Sequence, residues 1–377
     1  MKVLYFFPGN PLVRSQGNHV RAYTLLQYFK AKNITLDLVA EADKHFMEQD
    51  VEALKSEKLV NQVHFLPKHK KGGLSYFLKV SIPKLFSKIP RPFDRRKLNQ
   101  QQAFNKILQT NTYDKIIVSY SCWIPLVLNN PYLKRAKTIV DTHDFLTSQF
   151  KSRKDFKLGD FFEGEMKLLN SVDQVWAISV EEKYLFEQFI KTPVHLVPHL
   201  TTSEIQSTTK TIDVLYVASE NEHNIAAAQW FFNKVYPLLD TNISITVVGK
   251  INKHIKDYPN VIKINYVKDL SSTYNASKVV ICPMLSGTGL KIKVVEALSF
   301  GLPIVCNTRG VDGLINKNNN GCLVADRPTD YASNINRLLE NSNFYTKLSD
   351  QAKDFYNSNL SLNSIYNALD NYIKLIE

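Results

Sequence analysis

Short apolar runs recur along this chain, each followed by a longer stretch in which apolar residues return at helical spacing. In the first half the runs fall at residues 2–7, 34–40, 63–67, 114–119, 138–141, 172–179 and 194–197, and the intervening spacing predicts helices over 18–31, 99–110, 159–169 and 180–189. The second half repeats the rhythm, with strands expected at 212–217, 243–248, 261–264, 278–282, 303–305 and 321–324. Helices are expected at 224–239, after residue 290, and over 361–376. Near-continuous apolar strands alternating with helices imply parallel sheets covered on both faces. Between the two series, residues 198–210 are polar and rich in Ser and Thr without a sustained period, as in a segment joining two domains. The expectation is therefore α/β: two Rossmann-like, doubly wound domains, 1–203 and 204–355, with the boundary near 201–211 and a terminal helical segment 356–377.

A chain of 377 residues with 44% apolar content can build two such cores. Cys122, Cys282, Cys306 and Cys322 lack metal-ligand spacing and lie in apolar contexts, so they are expected to be free thiols of a reducing compartment. No apolar run approaches the roughly 18 residues needed to span a bilayer, and the opening run is too short for a signal peptide, so a cytoplasmic location is expected. The first strand-to-helix turn carries only Gly9 and Gly17, not the G-x-G-x-x-G of a dinucleotide site, which disfavours a dehydrogenase.

Candidate chemistry concentrates in residues 283–305, P-M-L-S-G-T-G-L-K-I-K-V-V-E-A-L-S-F-G-L-P-I-V. The spacing predicts a glycine turn (Gly287, Thr288, Gly289) leading into a helix closed by Gly301 and Pro303. A helix N-terminus presents unpaired N–H groups and the positive end of the dipole, and so attracts anions. Lys291 and Lys293 stand at that end with no acidic residue from 284 to 295, an arrangement costing about 0.3–1 kcal/mol per lysine unless an anion supplies the missing charge. Glu296 falls on the same face, where a carboxylate can accept hydroxyl hydrogens from a ribose or pair with Lys293. Diphosphate plus ribose points to a nucleoside diphosphate.

These residues resemble the donor-binding signature of retaining glycosyltransferases of the GT-B type, in the large group marked by Glu, seven residues, Glu. The resemblance implies that Glu296 binds the ribose, that Lys291 and Lys293 bind the diphosphate, and that the turn from Gly287 to Gly289 cradles phosphates and sugar. The first Glu of the pair is replaced by Thr288, and the loop after the strand at 212–217, often basic in the family, reads S-E-N-E-H-N. In the first half the resemblance places Gly17, His19 and Arg21 on the acceptor side of a cleft. It also makes His143, in T-I-V-D-T-H-D, the residue contacting the transferred sugar. A histidine beyond a strand's carboxyl end suits ligand contact in doubly wound sheets, although with Asp141 and Asp144 beside it a loop ion pair is the alternative. The implied architecture is GT-B, two domains facing a cleft with the last helix packed back on the first. The implied reaction is metal-independent, since no D-x-D occurs, and uses a nucleotide sugar as donor substrate without a cofactor.

Net charge is +12, and residues 68–97 carry ten Lys or Arg against Asp94 alone. Lys70, Lys71, Lys79 and Lys84 are interleaved there with Phe77, Phe86 and other apolar residues, a mixture suited to an anionic bilayer surface. The expectation is peripheral attachment to the inner face of the membrane, a lipid-linked saccharide acceptor and a role in cell-surface polysaccharide synthesis. Two competing readings are a nucleotide-sugar epimerase on the same fold and a non-enzymatic nucleic-acid binder; no nucleic-acid motif supports the second, and nucleic acid is not an expected partner.

Overall fold

The computed structural model describes residues 1–13, 17–68, 82, 91–199, 205–206, 208–287 and 289–374. The candidate membrane residues Lys70, Lys71, Lys79 and Lys84, and Thr288 of the glycine turn, lie outside the described residues. The chain divides into two compact units: Met1–Val197 with Leu369–Glu377, and Pro198–Ala368. The division falls ahead of the polar stretch at 201–211 because Val197 still belongs to the first unit, where its carbonyl accepts a 2.8 Å hydrogen bond from Arg21.

The first unit is built on strands β1 (Lys2–Phe6), β2 (Thr35–Glu41), β3 (Gln62–Leu66), β4 (Lys115–Ser119), β5 (Lys137–Asp141), β6 (Gln174–Ala177) and β7 (Val194–Leu196). They form one seven-stranded sheet in the order β3-β2-β1-β4-β5-β6-β7. Every pairing is parallel. Its longer helices are α1 (Gly17–Ala31), α2 (Glu48–Ser56), α3 (Leu98–Thr110), α4 (Leu158–Leu169) and α5 (Val180–Phe189). Val3 to Phe6 and Ile116 to Val118 have no exposed surface, as required of central strands covered on both faces. The order reverses direction between β1 and β4, so the loops leaving those two strands diverge and open a crevice at their carboxyl ends.

The second unit repeats this plan. Strands β8 (Ile212–Val217), β9 (Ile245–Val248), β10 (Val261–Ile264), β11 (Ser277–Cys282), β12 (Ile304–Cys306) and β13 (Cys322–Val324) make a six-stranded parallel sheet, order β10-β9-β8-β11-β12-β13. Its switch point lies between β8 and β11. Helix α6 (Glu222–Trp230) follows β8, and α7 (Ile292–Ser299) follows β11. The expected 224–239 helix is shorter than its periodicity suggests, because a π turn at Phe231–Val235 and a 3-10 turn at Tyr236–Leu238 interrupt it. Pro237, lacking an N–H, cannot continue the ladder.

Helices α8 (Pro328–Glu340), α9 (Ser342–Asn359) and α10 (Leu362–Lys374) end the chain. From Leu369 the chain is part of the first unit. There Asp370 accepts from Tyr28 Oη at 3.0 Å and from Lys32 Nζ at 2.6 Å, Gln174 donates to the Tyr372 carbonyl at 2.8 Å, and the Tyr372 ring stacks on His195 at 4.2 Å. The four cysteines are free, three of them buried, in line with their apolar sequence contexts. No helix among the described residues is long and apolar enough to cross a membrane.

Candidate functional site

In the first unit, the ends of β1, β4 and β5 and the start of α1 bring Phe7, Asn18, His19, Arg21, Ser119, Tyr120, Asp141 and His143 together. Arg21 corrects an expectation. Instead of presenting its guanidinium to an acceptor, it is fully buried, with Nε 2.9 and 3.0 Å from the two Asp141 oxygens and an Nη2 atom 2.6 Å from Oδ1. A buried carboxylate at the end of a central strand needs such a forked, charge-assisted partner, and α1 places Arg21 one turn in to provide it. Burial alone would raise the Asp141 pKa, but Arg21 and His143 outweigh it and hold the carboxyl well below the usual range.

His143 stands just beyond β5 and is 5% exposed. Its Nε2 lies 3.1 Å from Asp141 Oδ2 and 3.2 Å from Ser119 Oγ, and its ring stacks on Tyr120 at 4.4 Å with planes 18° apart. The ion-pair alternative is therefore realised in part: the contact exists, at the sheet's crevice and not in an outer loop. Both stacked residues have left-handed backbones, φ 59° for His143 and 68° for Tyr120, a conformation that costs of order 1–3 kcal/mol in a residue other than glycine and clusters at functional sites. Asn18 Nδ2 donates to Tyr120 Oη at 2.9 Å, and Tyr120's pKa is pushed up to about 12, chiefly by burial. His19 sits edge-on to Phe7, its pKa lowered by burial and by His143, and its Nδ1 is buried with no hydrogen-bond partner among the described residues. Gly17 opens α1. Behind this layer Glu165 accepts from Ser121 Oγ and from the Leu146 and Thr147 backbone, and Glu182, buried beside Asp144 and Glu165, has its pKa pushed up to about 8 by burial and then by Asp144.

The second cluster lies wholly within the second unit, at its switch point. Gly287 (φ 95°) and Gly289 (φ 74°) make the turn with backbones that an L side chain resists, and Lys291 caps α7, whose first turn has no acidic residue. Lys291 Nζ folds back on the turn, 2.8 Å from the Gly289 carbonyl. Lys293 Nζ donates to Asn224 Oδ1 at 3.0 Å and lies 5.3 Å from the centre of the Tyr216 ring. Asn224 is itself in the first turn of α6, where its N–H is capped by Asn221. The helix starts of α6 and α7 thus converge on one lysine, whose partners are a neutral amide and an aromatic face. Burial lowers the Lys293 pKa, outweighing the opposing influence of Cys282 and Glu296. Glu296 is half-buried and accepts from Tyr274 Oη at 2.8 Å, and burial raises its pKa. Among the described residues it makes no ion pair with Lys293, so the salt-bridge alternative for this pair is not what holds it. His223 Nδ1 lies 2.8 Å from Ser286 Oγ, tying α6 to the turn.

Sequence reasoning did not single out Tyr120, Ser119 and Asn18 in the first cluster, or Tyr216, Asn224 and Tyr274 in the second. Their positions at or near strand ends or in short helical turns were the available signal. Neutral hydrogen-bonding residues carry no charge pattern to mark them.

Residues 211–341 match the family model of glycosyl transferases group 1. The chain is similar to an uncharacterised glycosyltransferase of Haemophilus influenzae, 25% identical over 210 residues, 50% of this chain and 58% of the relative. An uncharacterised 44.6 kDa protein of the Klebsiella pneumoniae cps region is 22% identical over 162 residues, 39% of this chain and 42% of that one. These matches thus span about half the length of the curated relatives. Among solved structures, Anabaena HepE in complex with UDP and glucose superposes with a TM-score of 0.70 at 14% identity, covering 100% of both chains. A Staphylococcus aureus TarM variant in complex with fondaparinux, α-GlcNAc-glycerol and UDP gives 0.67 at 13%, covering 99% of both. Sucrose-phosphate synthase of Thermosynechococcus elongatus gives 0.70 at 13%, covering 100% of this chain and 99% of that one. At such identities the likeness establishes the fold: two parallel-sheet, Rossmann-like domains of the GT-B type.

Two stability measurements follow from the contrasting charges. Arg21→Met leaves Asp141 buried without its partner and should destabilise the chain at pH 7 by about 3–5 kcal/mol in urea unfolding. With Arg21 gone, burial is opposed by His143 alone and the folded-state pKa of Asp141 rises, so this variant should lose less stability than the native chain as the pH falls from 7 toward 4; an equal loss would contradict the pairing. Lys293→Met should stabilise the unliganded protein by about 0.5–1 kcal/mol, because it removes a cation from a helix start. Because the folded pKa of Lys293 is depressed, that gain should shrink as the pH rises toward the ordinary lysine value; a destabilised variant would show that the ammonium has a structural role.

Proposed function

We propose that the protein is a glycosyltransferase that moves a sugar from a nucleoside diphosphate sugar to a saccharide acceptor. The observation that carries this reading is the convergence of two helix N-termini on Lys293 at the switch point of the second unit, with a glycine turn and Lys291 beside it. Such a site has the charge and geometry for a diphosphate. Glu296, held by Tyr274, supplies a carboxylate for ribose hydroxyls, Gly287 and Gly289 contribute the backbone cradle, and His143 contacts the transferred sugar. The family-model match over 211–341 supports the same reading.

The finer features belong to the proposal as well. The reaction proceeds with retention of configuration. Lys291, Lys293 and the dipole of α7 stabilise the departing diphosphate in the role a divalent metal has elsewhere, consistent with the absence of D-x-D from the sequence. The acceptor is a lipid-linked saccharide of a cell-surface polysaccharide, and the basic, aromatic stretch at 68–97 attaches the protein peripherally to the inner face of the membrane. Gly17 and His19 remain on the acceptor side of the first unit's crevice, without Arg21.

The test is release of nucleoside diphosphate from a panel of nucleotide sugars with and without saccharide acceptors. Acceptor-dependent release is expected, and acceptor-independent sugar interconversion would favour the epimerase. His143→Ala should lower turnover far more than it lowers affinity for the free nucleoside diphosphate, and equal losses would make the residue structural. Sedimentation with anionic and neutral vesicles, comparing the native chain with one carrying Gln at Lys70, Lys71, Lys79 and Lys84, checks the membrane component. Preference of the native chain for anionic vesicles at low salt is expected; no preference in either protein points to a soluble acceptor.

A further inference from the structure

The cluster at the ends of β4 and β5 also determines which face of His143 can act. We infer that Asp141, held ionised by Arg21, fixes His143 as the Nε2–H tautomer, so that Nδ1 is its only acceptor and meets a hydroxyl rather than an anion. Asp141 and Arg21 are then positioning residues for His143.

The chemistry of the atoms around Nε2 carries the inference. Asp141 has no exposed surface, and its two oxygens take three contacts from Arg21 between 2.6 and 3.0 Å. It is a carboxylate, acceptor only, and one of its oxygens faces His143 Nε2 at 3.1 Å. A lone pair on Nε2 would be set against that oxygen in a buried site, so the proton is on Nε2. The other neighbour, Ser119 Oγ at 3.2 Å, directs its own hydrogen to Tyr5 Oη at 3.1 Å and turns a lone pair toward the imidazole. Phe7 and the stacked Tyr120 ring hold the imidazole plane, and the left-handed backbone at residue 143 sets where the ring starts. Nδ1 accepts no hydrogen bond from the described residues. A group that meets it must donate, as a sugar hydroxyl does and a phosphate or carboxylate oxygen does not. The identity of that hydroxyl as a sugar's rests on the function proposed above; the tautomer does not.

Long-range proton–nitrogen correlation spectra of the uniformly nitrogen-15-labelled full chain, recorded above the imidazole titration, read the tautomer directly, with the His143 signals identified by their loss in His143→Gln. The expected pattern has a protonated Nε2, a bare Nδ1 and a downfield, slowly exchanging imidazole N–H. A protonated Nδ1 in the native protein overturns the proposal without recourse to any variant. In Asp141→Asn the imidazole N–H should move upfield as a charge-assisted bond becomes a neutral one, and kcat should fall about 10–100-fold with KM little changed, by analogy with residues that orient metal-bound histidines. An N–H signal that stays where it is in folded Asp141→Asn overturns the role of Asp141. If the native spectrum shows the bare Nδ1 but no glycosyl transfer is found with any nucleotide sugar, the tautomer stands and the functional reading is what fails.

Discussion

The reversal of strand order within each parallel sheet is the constraint on which the rest of this structure depends. β1 lies between β2 and β4, and β8 between β9 and β11, so successive connections leave in opposite directions and the carboxyl ends of the two central strands are left uncrowded. The described residues proposed to meet the donor and its sugar stand at or beside one of these two places. Helices α1, α6 and α7 begin there, and a helix start presents backbone N–H groups that have no partner within the helix.

The two switch points handle charge in opposite ways. In the first unit Arg21 and Asp141 neutralise each other below the surface, and their pairing forms the floor on which His143 rests. In the second, Lys293 is withdrawn from water against Asn224 and Tyr216, and Lys291 against carbonyls of its own turn. A folded chain gains nothing by gathering cations at a helix start. On the proposed function, an anion with several oxygens would make the arrangement favourable, and the stability given up in the free protein would reappear as binding. Beside these lysines Tyr274 donates to Glu296 and fixes the position of its carboxylate.

Much of this was legible in the chain. Apolar runs of strand length marked the parallel strands, because central strands of covered sheets need no polar alternation. Lys291, Lys293 and Glu296 were legible because charge at a helix start is conspicuous in a sequence. Arg21 was not: one arginine on an amphipathic helix looks the same whether it faces solvent or a buried carboxylate 120 residues away. The partners Tyr216, Asn224, Tyr274 and Tyr120 were missed for a related reason, since their roles come from register between elements and not from local pattern. The early end of α6 was missed because apolar spacing continues through the π turn that interrupts the helix.

The central claim is that the second unit recognises a diphosphate through the starts of α6 and α7. Isothermal calorimetry on the full chain with the diphosphates of uridine, guanosine, adenosine and thymidine, each compared with its parent nucleoside, tests it most directly. One of the diphosphates should bind, and its nucleoside should bind at least about tenfold more weakly, the loss of one or more charge-assisted hydrogen bonds. Equal affinity for nucleoside and diphosphate, or no binding by any of the four, would contradict the account.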